Sequence, residues 1–438
     1  AGPRTDRAGQ SFDSRTRLQG FGRDGQSNLK MSLGYQEALD FLFPRVTTIK
    51  FGLDTTRALL ASVGDPHRLC PIVHVAGTNG KGSVSTLVAR ALEVAGWKVG
   101  LYTSPHLVSF RERIVVDRAQ ISESAVAMWT ERLMPVIEAR QATFFEVTTA
   151  MAFADFAARG AEVVVAEVGL GGRLDSTNVV DPAVSVVTRI ALDHTRYLGE
   201  TLEAIAREKA GIAKPGVPFI IGERDPALVA VLRDAARSAV RVRRGGRADV
   251  RVVPPQYLWD GPLGLEGGHQ RRNAGVAYAA LMALPERYRP TRRQVEEGFA
   301  ATWVPGRFDR RGRWLFDVAH NPDGVAALIS AIEEAALPRP VTALVSILED
   351  KEWPEMLDRL APVIDAGVLT IAPSTAGRRW DQDRLKRWLR TGDVRKKLWH
   401  LEPDFGTALA RVQEGAGTVL VTGSFHTVGD ALSALGLE

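Results

Sequence analysis

A glycine-rich turn between a short apolar run and a helical pattern constrains the fold more than any other feature of this sequence. Residues 72–76 are mainly apolar and β-branched, which predicts a buried strand. The turn Gly77–Ser83 follows, and apolar residues from Val84 to Ala95 then recur at helical spacing as far as Gly96, where a helix is expected to end. Strand, turn and helix in this order place backbone N–H groups and a helix N-terminus where they bind phosphate.

The residues of the turn indicate which kind of phosphate ligand it binds. Lys81 would reach the β- and γ-phosphates of a nucleotide, and the Ser83 hydroxyl would bind Mg²⁺. The general pattern G-x-x-x-x-G-K-[ST] puts serine directly after lysine, whereas Gly82 intervenes here. A ligand-free turn is the alternative, but the lysine, the serine and the flanking pattern favour phosphate binding. We predict an ATP site formed by Thr78, Asn79, Gly80, Lys81, Gly82 and Ser83.

Short apolar runs alternate with helical patterns along most of the chain, which predicts βαβ units in two α/β domains. The first, at residues 31–304, is expected to be a P-loop-type domain with a mainly parallel sheet. The second, at residues 305–438, is expected to be a smaller Rossmann-like domain. Residues 1–30 are polar, basic and rich in glycine, and they predict a disordered tail. The further predicted strands are 98–102, 163–167, 184–188, 218–221, 314–318, 342–346, 368–371 and 418–422.

The composition restricts the classes of binding partner and the cellular compartment that we expect. No run of about 18 apolar residues occurs, so we expect no membrane span. The net charge of +5 favours small anionic ligands over nucleic acid, because the arginines are scattered and form no basic helix. The single cysteine, Cys70, excludes an intrachain disulfide and is typical of a reducing cytoplasm. We expect a cytoplasmic monomer without nucleic-acid or membrane partners.

Several further motifs follow the turn in a characteristic order. They are YTSPHL (102–107), RERI (111–114), FEVTTA (145–150), EVGLGGRLDSTN (167–178), LDHT (192–195), EKAGI (208–212), PGR (305–307), DVAHNP (317–322) and DK (350–351). Together with Gly82 before the serine, this series resembles the folate branch of the Mur ligase superfamily, which comprises folylpolyglutamate synthases and bifunctional dihydrofolate synthases.

The resemblance implies an ATP-dependent amide ligase of the bifunctional type. Such an enzyme activates a carboxylate as an acyl phosphate, which the amine of L-glutamate then attacks. The products would be dihydrofolate from 7,8-dihydropteroate and polyglutamate from reduced folates, with release of ADP and phosphate. A monofunctional folylpolyglutamate synthase is the alternative within the branch. A nucleotide-dependent switch or kinase is the alternative from another class.

Four polar residues are candidates for catalysis and metal binding alongside Lys81 and Ser83. Glu167 ends a predicted strand at the sheet edge where α/β folds bind ligands, and its carboxylate suits Mg²⁺. The resemblance implies that His194 binds a second Mg²⁺, that Lys209 is carbamylated, and that His320 approaches the nucleotide or the glutamate. Taken singly, each residue also fits a structural or solvated role.

The remaining candidates bind the nucleotide or the folate. The resemblance implies that Arg307 reaches the terminal phosphates, Asp317 holds the ribose and Asn273 contacts adenine. A mobile loop with Ser104, Pro105 and His106 is expected to contact the pterin or folate, or to be a plain connection. The other candidates for this site are Phe145, Glu146, Thr148, Thr149 and Asp175. For Glu146 and its neighbours, the alternative is a capped helix N-terminus.

Overall fold

The computed structural model describes residues 33–47, 50–242, 247–392 and 397–438. The predicted tail at 1–30 lies outside these ranges. Within them, no helix has the length and apolar character needed to cross a membrane. The expected cytoplasmic location stays a prediction.

The first sheet contains eight strands within the described residues, in the order β4-β3-β2-β5-β1-β6-β7-β8. Its strands are β1 (Ile72–Ala76), β2 (Val99–Tyr102), β3 (Ile114–Val116), β4 (Ala119–Gln120), β5 (Val163–Glu167), β6 (Val184–Val187), β7 (Pro218–Ile221) and β8 (Asp249–Val252). Strands β2, β5, β1, β6, β7 and β8, which are neighbours in that order, pair in parallel with one another. Strands β3 and β4 pair antiparallel at one edge of the sheet. Every residue of β1 and β5 is buried, as expected for central parallel strands covered on both faces.

Ten helices of the described chain belong to this first part. They are α1 (Tyr35–Leu42), α2 (Asp54–Ser62), α3 (Lys81–Val94), α4 (Glu123–Arg140), α5 (Phe144–Ala158), α6 (Thr195–Leu198), α7 (Leu202–Ala210), α8 (Pro226–Val242), α9 (Gly268–Ala283) and α10 (Arg292–Ala300). Alternate strand residues point to opposite faces of the sheet, and both faces are covered by helices. Helices α3, α9 and α10 cover one face. Helices α1, α2, α4 and α5 pack on the other face, beside α7 and α8.

The second sheet is smaller and has the order β13-β12-β11-β14-β10-β9. Its strands are β9 (Asp309–Arg311), β10 (Trp314–Phe316), β11 (Val341–Val345), β12 (Ala366–Leu369), β13 (Trp399–Leu401) and β14 (Thr418–Thr422), with only β9 antiparallel. Its helices in the described residues are α11 (Pro322–Ala335), α12 (Trp353–Leu360), α13 (Gln382–Arg390), α14 (Phe405–Gln413) and α15 (Phe425–Leu435). Two apolar cores lie on its opposite faces.

The predicted fold class, a mainly parallel sheet followed by a smaller α/β unit, is confirmed. The proposed boundary at 304/305 falls between the end of α10 and the start of β9, and it stays a prediction. The loops at the carboxyl ends of β1, β5, β6 and β10 contain the candidates Thr78, Asn79, Gly80, Asp175, His194, Asp317 and His320.

Candidate active site

The turn after β1 requires glycine at two positions. Gly77 has φ +148° and Gly80 has φ +86°, and Lys81 then begins α3. A Cβ on Gly77 would lie 1.8 Å from Thr188 Oγ1, and one on Gly80 would lie 2.5 Å from Asn273 Oδ1. Since real Cβ atoms never come so close to another heavy atom, the turn adopts this path only with glycine there.

The segment after β6 holds the turn in place. The Thr78 N–H donates to the Arg189 carbonyl oxygen at 2.7 Å, and the Thr188 hydroxyl donates to the Asn79 carbonyl oxygen at 2.7 Å. The Thr78 hydroxyl bonds the backbone of Ala191 in both directions, at 3.1 Å each. These bonds occupy the Thr78 side chain, so in this structure it supports the turn, while the Lys81 ammonium donates to the Thr78 carbonyl oxygen at 3.1 Å.

Glu167 stands beside the first turn of α3. A Cβ added to Gly82 would lie 3.7 Å from Glu167 Oε2, which also accepts the Ser104 N–H at 3.1 Å. Burial raises the pKa of Glu167, against the opposing effect of the Lys81 and Arg307 charges. The site is thus a buried carboxylate among cations, next to the buried Ser83 hydroxyl.

These residues fit a metal that is bound mainly by a nucleotide. In the parts of the chain that the structure describes, no three His, Cys, Asp or Glu side chains form a metal-binding group. Mg²⁺ commonly uses one or two carboxylates together with substrate phosphates and water, and Glu167 with Ser83 matches that ligand set. His194 has a half-exposed ring and a left-handed backbone at φ +52°. Desolvation in the cleft and then the Lys351 charge lower its pKa to about 3, which leaves a neutral ring able to bind a metal.

Lys209 is buried under the phosphate turn. Its side chain is 4% exposed, and its ammonium donates to the Gly77 carbonyl oxygen at 2.8 Å. Burial first, and then the Lys81 charge, lower the pKa of Lys209 to about 7. The alternative of a solvated helix lysine is therefore wrong.

Asp193 of the first domain contacts the second domain at this cleft. The sequence did not single it out as a site residue. Its carboxylate contacts the Lys351 ammonium, lies 3.3 Å from His320 Nε2 and accepts the Asn321 side-chain N–H at 3.2 Å. Burial acts to raise the pKa of Asp193, but the His320 hydrogen bond and the charges of His320 and Lys351 hold it well below its usual range.

The nucleotide candidates line the junction of the two domains. Arg307 stacks over Phe425 at 5.1 Å from the ring centre, and burial lowers its pKa. Asp317 accepts the N–H groups of Phe308 and Ala319, each at 2.9 Å, so its carboxylate shapes the loop after β10. Asn273 donates to Gln270 at 2.9 Å from α9, facing Gly80.

The expected folate loop begins beside Glu167, which accepts the Ser104 N–H at 3.1 Å. Arg113 Nε donates to His106 Nδ1 at 2.7 Å, and burial together with the Arg113 charge lowers the pKa of His106 to about 3. Pro105 is exposed at the tip of this loop. The Phe145 ring lies against Gly169, where an added Cβ would come within 2.3 Å of the ring.

Two family models match the chain. The Mur ligase middle domain matches residues 75–253, and the Mur ligase glutamate ligase domain matches residues 306–425. The dihydrofolate synthase/folylpolyglutamate synthase of Escherichia coli is 36% identical over 409 residues, covering 89% of this chain and 92% of that protein. The chain belongs to the folate branch of the Mur ligase family. The resemblance in the sequence motifs is thereby confirmed.

Other relatives of this Mur ligase agree. The folylpolyglutamate synthase of Lacticaseibacillus casei is 35% identical, covering 78% of this chain and 86% of the relative. A probable bifunctional folylpolyglutamate synthase/dihydropteroate synthase of Haloferax volcanii is 38% identical, but the chain spans only 39% of its length. Among solved structures, E. coli FolC with DHPP and ADP has a TM-score of 0.80 and 32% identity over 92% of this chain and 98% of that one.

Four residues expected to bind the folate make structural contacts in this Mur ligase. Glu146 accepts the Thr143 N–H at 2.7 Å and forms a capping box at the start of α5. The hydroxyls of Thr148 and Thr149 lie 3.0 and 3.4 Å from the buried Tyr102 hydroxyl, without solvent exposure.

Asp175 is the fourth. Its carboxylate accepts N–H groups of Leu170 and Thr177 within its own loop, at 2.8 and 2.9 Å. These four side chains are buried and their polar atoms bond within the protein, so in this structure they support the scaffold. Direct contact between them and a folate stays a prediction. The spacing of Thr143 and Glu146 is the sequence signal for the capping box.

Glu112 is a further residue that the sequence did not single out. Its carboxylate accepts three successive backbone N–H groups, from Leu107, Val108 and Ser109, at 2.8, 2.9 and 2.6 Å. It thereby sets the path of the expected folate loop. The loop then contacts the second domain, where a Cβ on Gly429 would lie 2.1 Å from the Leu107 carbonyl oxygen.

Proposed function

We propose that this chain is an ATP-dependent ligase that adds L-glutamate to 7,8-dihydropteroate and to reduced folates through an acyl phosphate. The observation that carries the proposal is the cleft itself. Lys81 and Glu167 lie together at the phosphate turn of the first domain. Asp193, also of the first domain, contacts the His320 and Lys351 side chains of the second domain. Phosphoryl transfer and attack by a second substrate would therefore take place at one location, between the two domains.

The reaction has two balanced steps. A carboxylate oxygen of the folate attacks the γ-phosphorus of ATP, and the bond from phosphorus to the ADP oxygen breaks. The glutamate amine then attacks the carbonyl carbon of the acyl phosphate, the bond from that carbon to the phosphate oxygen breaks, and the amine proton leaves. Both steps develop negative charge on phosphate oxygens, which cations in a dry site stabilise.

Residues of this chain can be assigned to each step. Lys81 and Arg307 bind the terminal phosphates, with Thr78, Asn79, Gly80 and Gly82 forming the surrounding turn. Glu167 and Ser83 would hold Mg²⁺, which neutralises phosphate charge when bound. A structure of a related bifunctional enzyme contains Mn, AMPPNP and L-glutamate, at a TM-score of 0.78 and 29% identity, which supports use of ATP and a divalent metal here.

We assign the remaining ligand contacts by position. Asn273 and Asp317 would contact the adenine and the ribose, and His194 would bind a second Mg²⁺ through its neutral ring. Ser104, Pro105 and His106 would contact the folate with Phe145. His320 would position the glutamate. Because the cleft is complete within one chain, we also propose a monomer.

The environment of Lys209 supports carbamylation. An amine with a pKa near 7 is largely neutral at pH 8, and only a neutral amine attacks CO₂. A C–N bond forms while one C=O π bond of CO₂ opens, the nitrogen loses one proton to the solvent, and the neutral amine becomes an anionic carbamate. The added oxygens would lie near Gly77 and Lys81, beside the phosphates.

Release of ADP tests this proposal. Purified protein with ATP and Mg²⁺ receives dihydropteroate or tetrahydrofolate, each with and without glutamate. We expect ADP release that requires both the folate-type acceptor and glutamate. ADP release with tetrahydrofolate and glutamate, but not with dihydropteroate and glutamate, would favour a monofunctional folylpolyglutamate synthase. Release independent of glutamate would exclude a ligase and favour a switch or kinase.

A further inference from the structure

Arg189 joins the phosphate turn to the second domain. Its carbonyl oxygen accepts the Thr78 N–H at 2.7 Å, so its backbone is fixed to the turn. Its guanidinium reaches across the cleft, where Nε and Nη2 lie 3.2 and 3.1 Å from Asp323 Oδ1. The third nitrogen, Nη1, contacts Glu223 at 2.6 Å within the first domain.

Asp323 receives a second contact from the turn. It lies in the first turn of α11, and its Oδ2 accepts the Asn79 side-chain N–H at 2.9 Å. The side-chain amides of Asn79 and Asn321 also exchange two hydrogen bonds of 3.0 Å each. The N-terminal end of α11 is thus attached to the phosphate turn through Asn321 and Asp323.

The residues just before α11 are those that enter the cleft. His320 directly precedes the cap residue Asn321, and its Nε2 lies 3.3 Å from Asp193. A small rotation of the second domain therefore moves His320 away from the phosphates. The contacts of Asp323 oppose that rotation.

We propose that Arg189 and Asp323 form a domain clamp, a pair of positioning residues that holds the second domain in the register that the ligase reaction needs. Their side chains are 44% and 30% exposed. An ion pair with this exposure is weak and screened by salt, so the clamp opens readily for substrate entry and product release. The kinetic part of this proposal depends on the proposed function, whereas the structural part does not.

Removal of the clamp leaves the first domain intact. Glu223 is fully buried, but it also accepts the N–H groups of Ile190, Arg224 and Asp225 at 2.8, 2.6 and 3.0 Å. It therefore keeps hydrogen-bond partners in Arg189→Ala. Asp323→Ala removes a partly exposed carboxylate together with its hydrogen bond from Asn79, and it retains the Asn321 cap of α11.

A double-mutant cycle tests the clamp. We expect Arg189→Ala and Asp323→Ala each to lower kcat about fivefold, the low end of coupling between sites. The double variant should lose no more than Asp323→Ala alone, because that single variant already lacks the contact with Arg189 as well as the one with Asn79. Glu355→Ala, which removes an exposed ion pair within the second domain, should keep the wild-type kcat.

A distance measurement separates this inference from the function. Spin labels on Cys at the exposed positions Ser238 and Ser433, with Cys70→Ser, report the separation of the domains. The distance distribution should broaden in Asp323→Ala and stay narrow in Glu355→Ala. Unchanged distances, or additive losses of kcat in the cycle, would overturn the clamp. If the wild type lacks glutamate-dependent ADP release, the proposed function fails and the distances alone decide the clamp.

Discussion

Replacement of Lys209 by methionine should stabilise the protein while abolishing its turnover. Lys209 is almost fully buried, and its one hydrogen bond to the Gly77 carbonyl compensates little for the lost hydration of a charge. Methionine has a similar length without the charge. Functional sites often contain such destabilising groups.

The lowered pKa of Lys209 determines the size of the expected gain in stability. A decrease from 10.5 to about 7 corresponds to about 5 kcal/mol of lost stability at or below neutral pH, at about 1.4 kcal/mol for each pKa unit. Loss of the bond to Gly77 leaves that carbonyl unpaired, which offsets about 1–2 kcal/mol of the gain. We therefore expect Lys209→Met to be about 3 kcal/mol more stable near neutral pH.

The sign of the pH dependence follows from linkage. Between pH 7 and 10.5 the unfolded lysine binds more protons than the folded one, so the stability of the wild type rises with pH in this window. At about pH 9 the remaining penalty is about 2 kcal/mol, and the advantage of methionine should nearly vanish.

Urea denaturation followed by tryptophan fluorescence measures this difference. Wild type and Lys209→Met are compared at about pH 6.5 and pH 9 in buffers free of CO₂, so that no carbamate forms. The reasoning is refuted if methionine destabilises the protein at pH 6.5. It is equally refuted if the gap between the two proteins is the same at both pH values.

Three further substitutions, together with one control substitution, probe the turn and the carbamate. Lys81→Ala should abolish turnover with an unchanged unfolding midpoint, and normal turnover would remove the turn from the mechanism. Gly77→Ala should prevent ATP binding, measured by calorimetry, because its Cβ would lie 1.8 Å from Thr188 Oγ1. Gly96→Ala is its control, with a positive φ but open space around it, and equal ATP binding in both would contradict the steric explanation. Lys209→Ala should regain part of its turnover with acetate if a carbamate is the active form, and lack of recovery counts against carbamylation.

Patterns within short stretches predicted the central strands and the phosphate turn. Strands β1, β5, β7 and β14 have the predicted bounds, because continuous burial imposes an apolar run that is visible locally. Strands β3, β4, β8, β9 and β13 were missed. Among them, Ala119–Gln120 is exposed and Asp309–Arg311 is polar, so neither forms a local apolar run. These two become strands through pairing with β3 and β10, partners that local composition does not reveal.

The sequence by itself determined the chemistry of the phosphate turn, because its glycines, its lysine and the helix after it are neighbours in the chain. Only the tertiary structure decided which other side chains serve that turn. Lys209 meets Gly77 across 132 residues, and Lys351 meets Asp193 across 158. The burial that lowers the pKa of Lys209, and the cations that lower that of Asp193, arise when distant segments pack together. No local pattern encodes that packing.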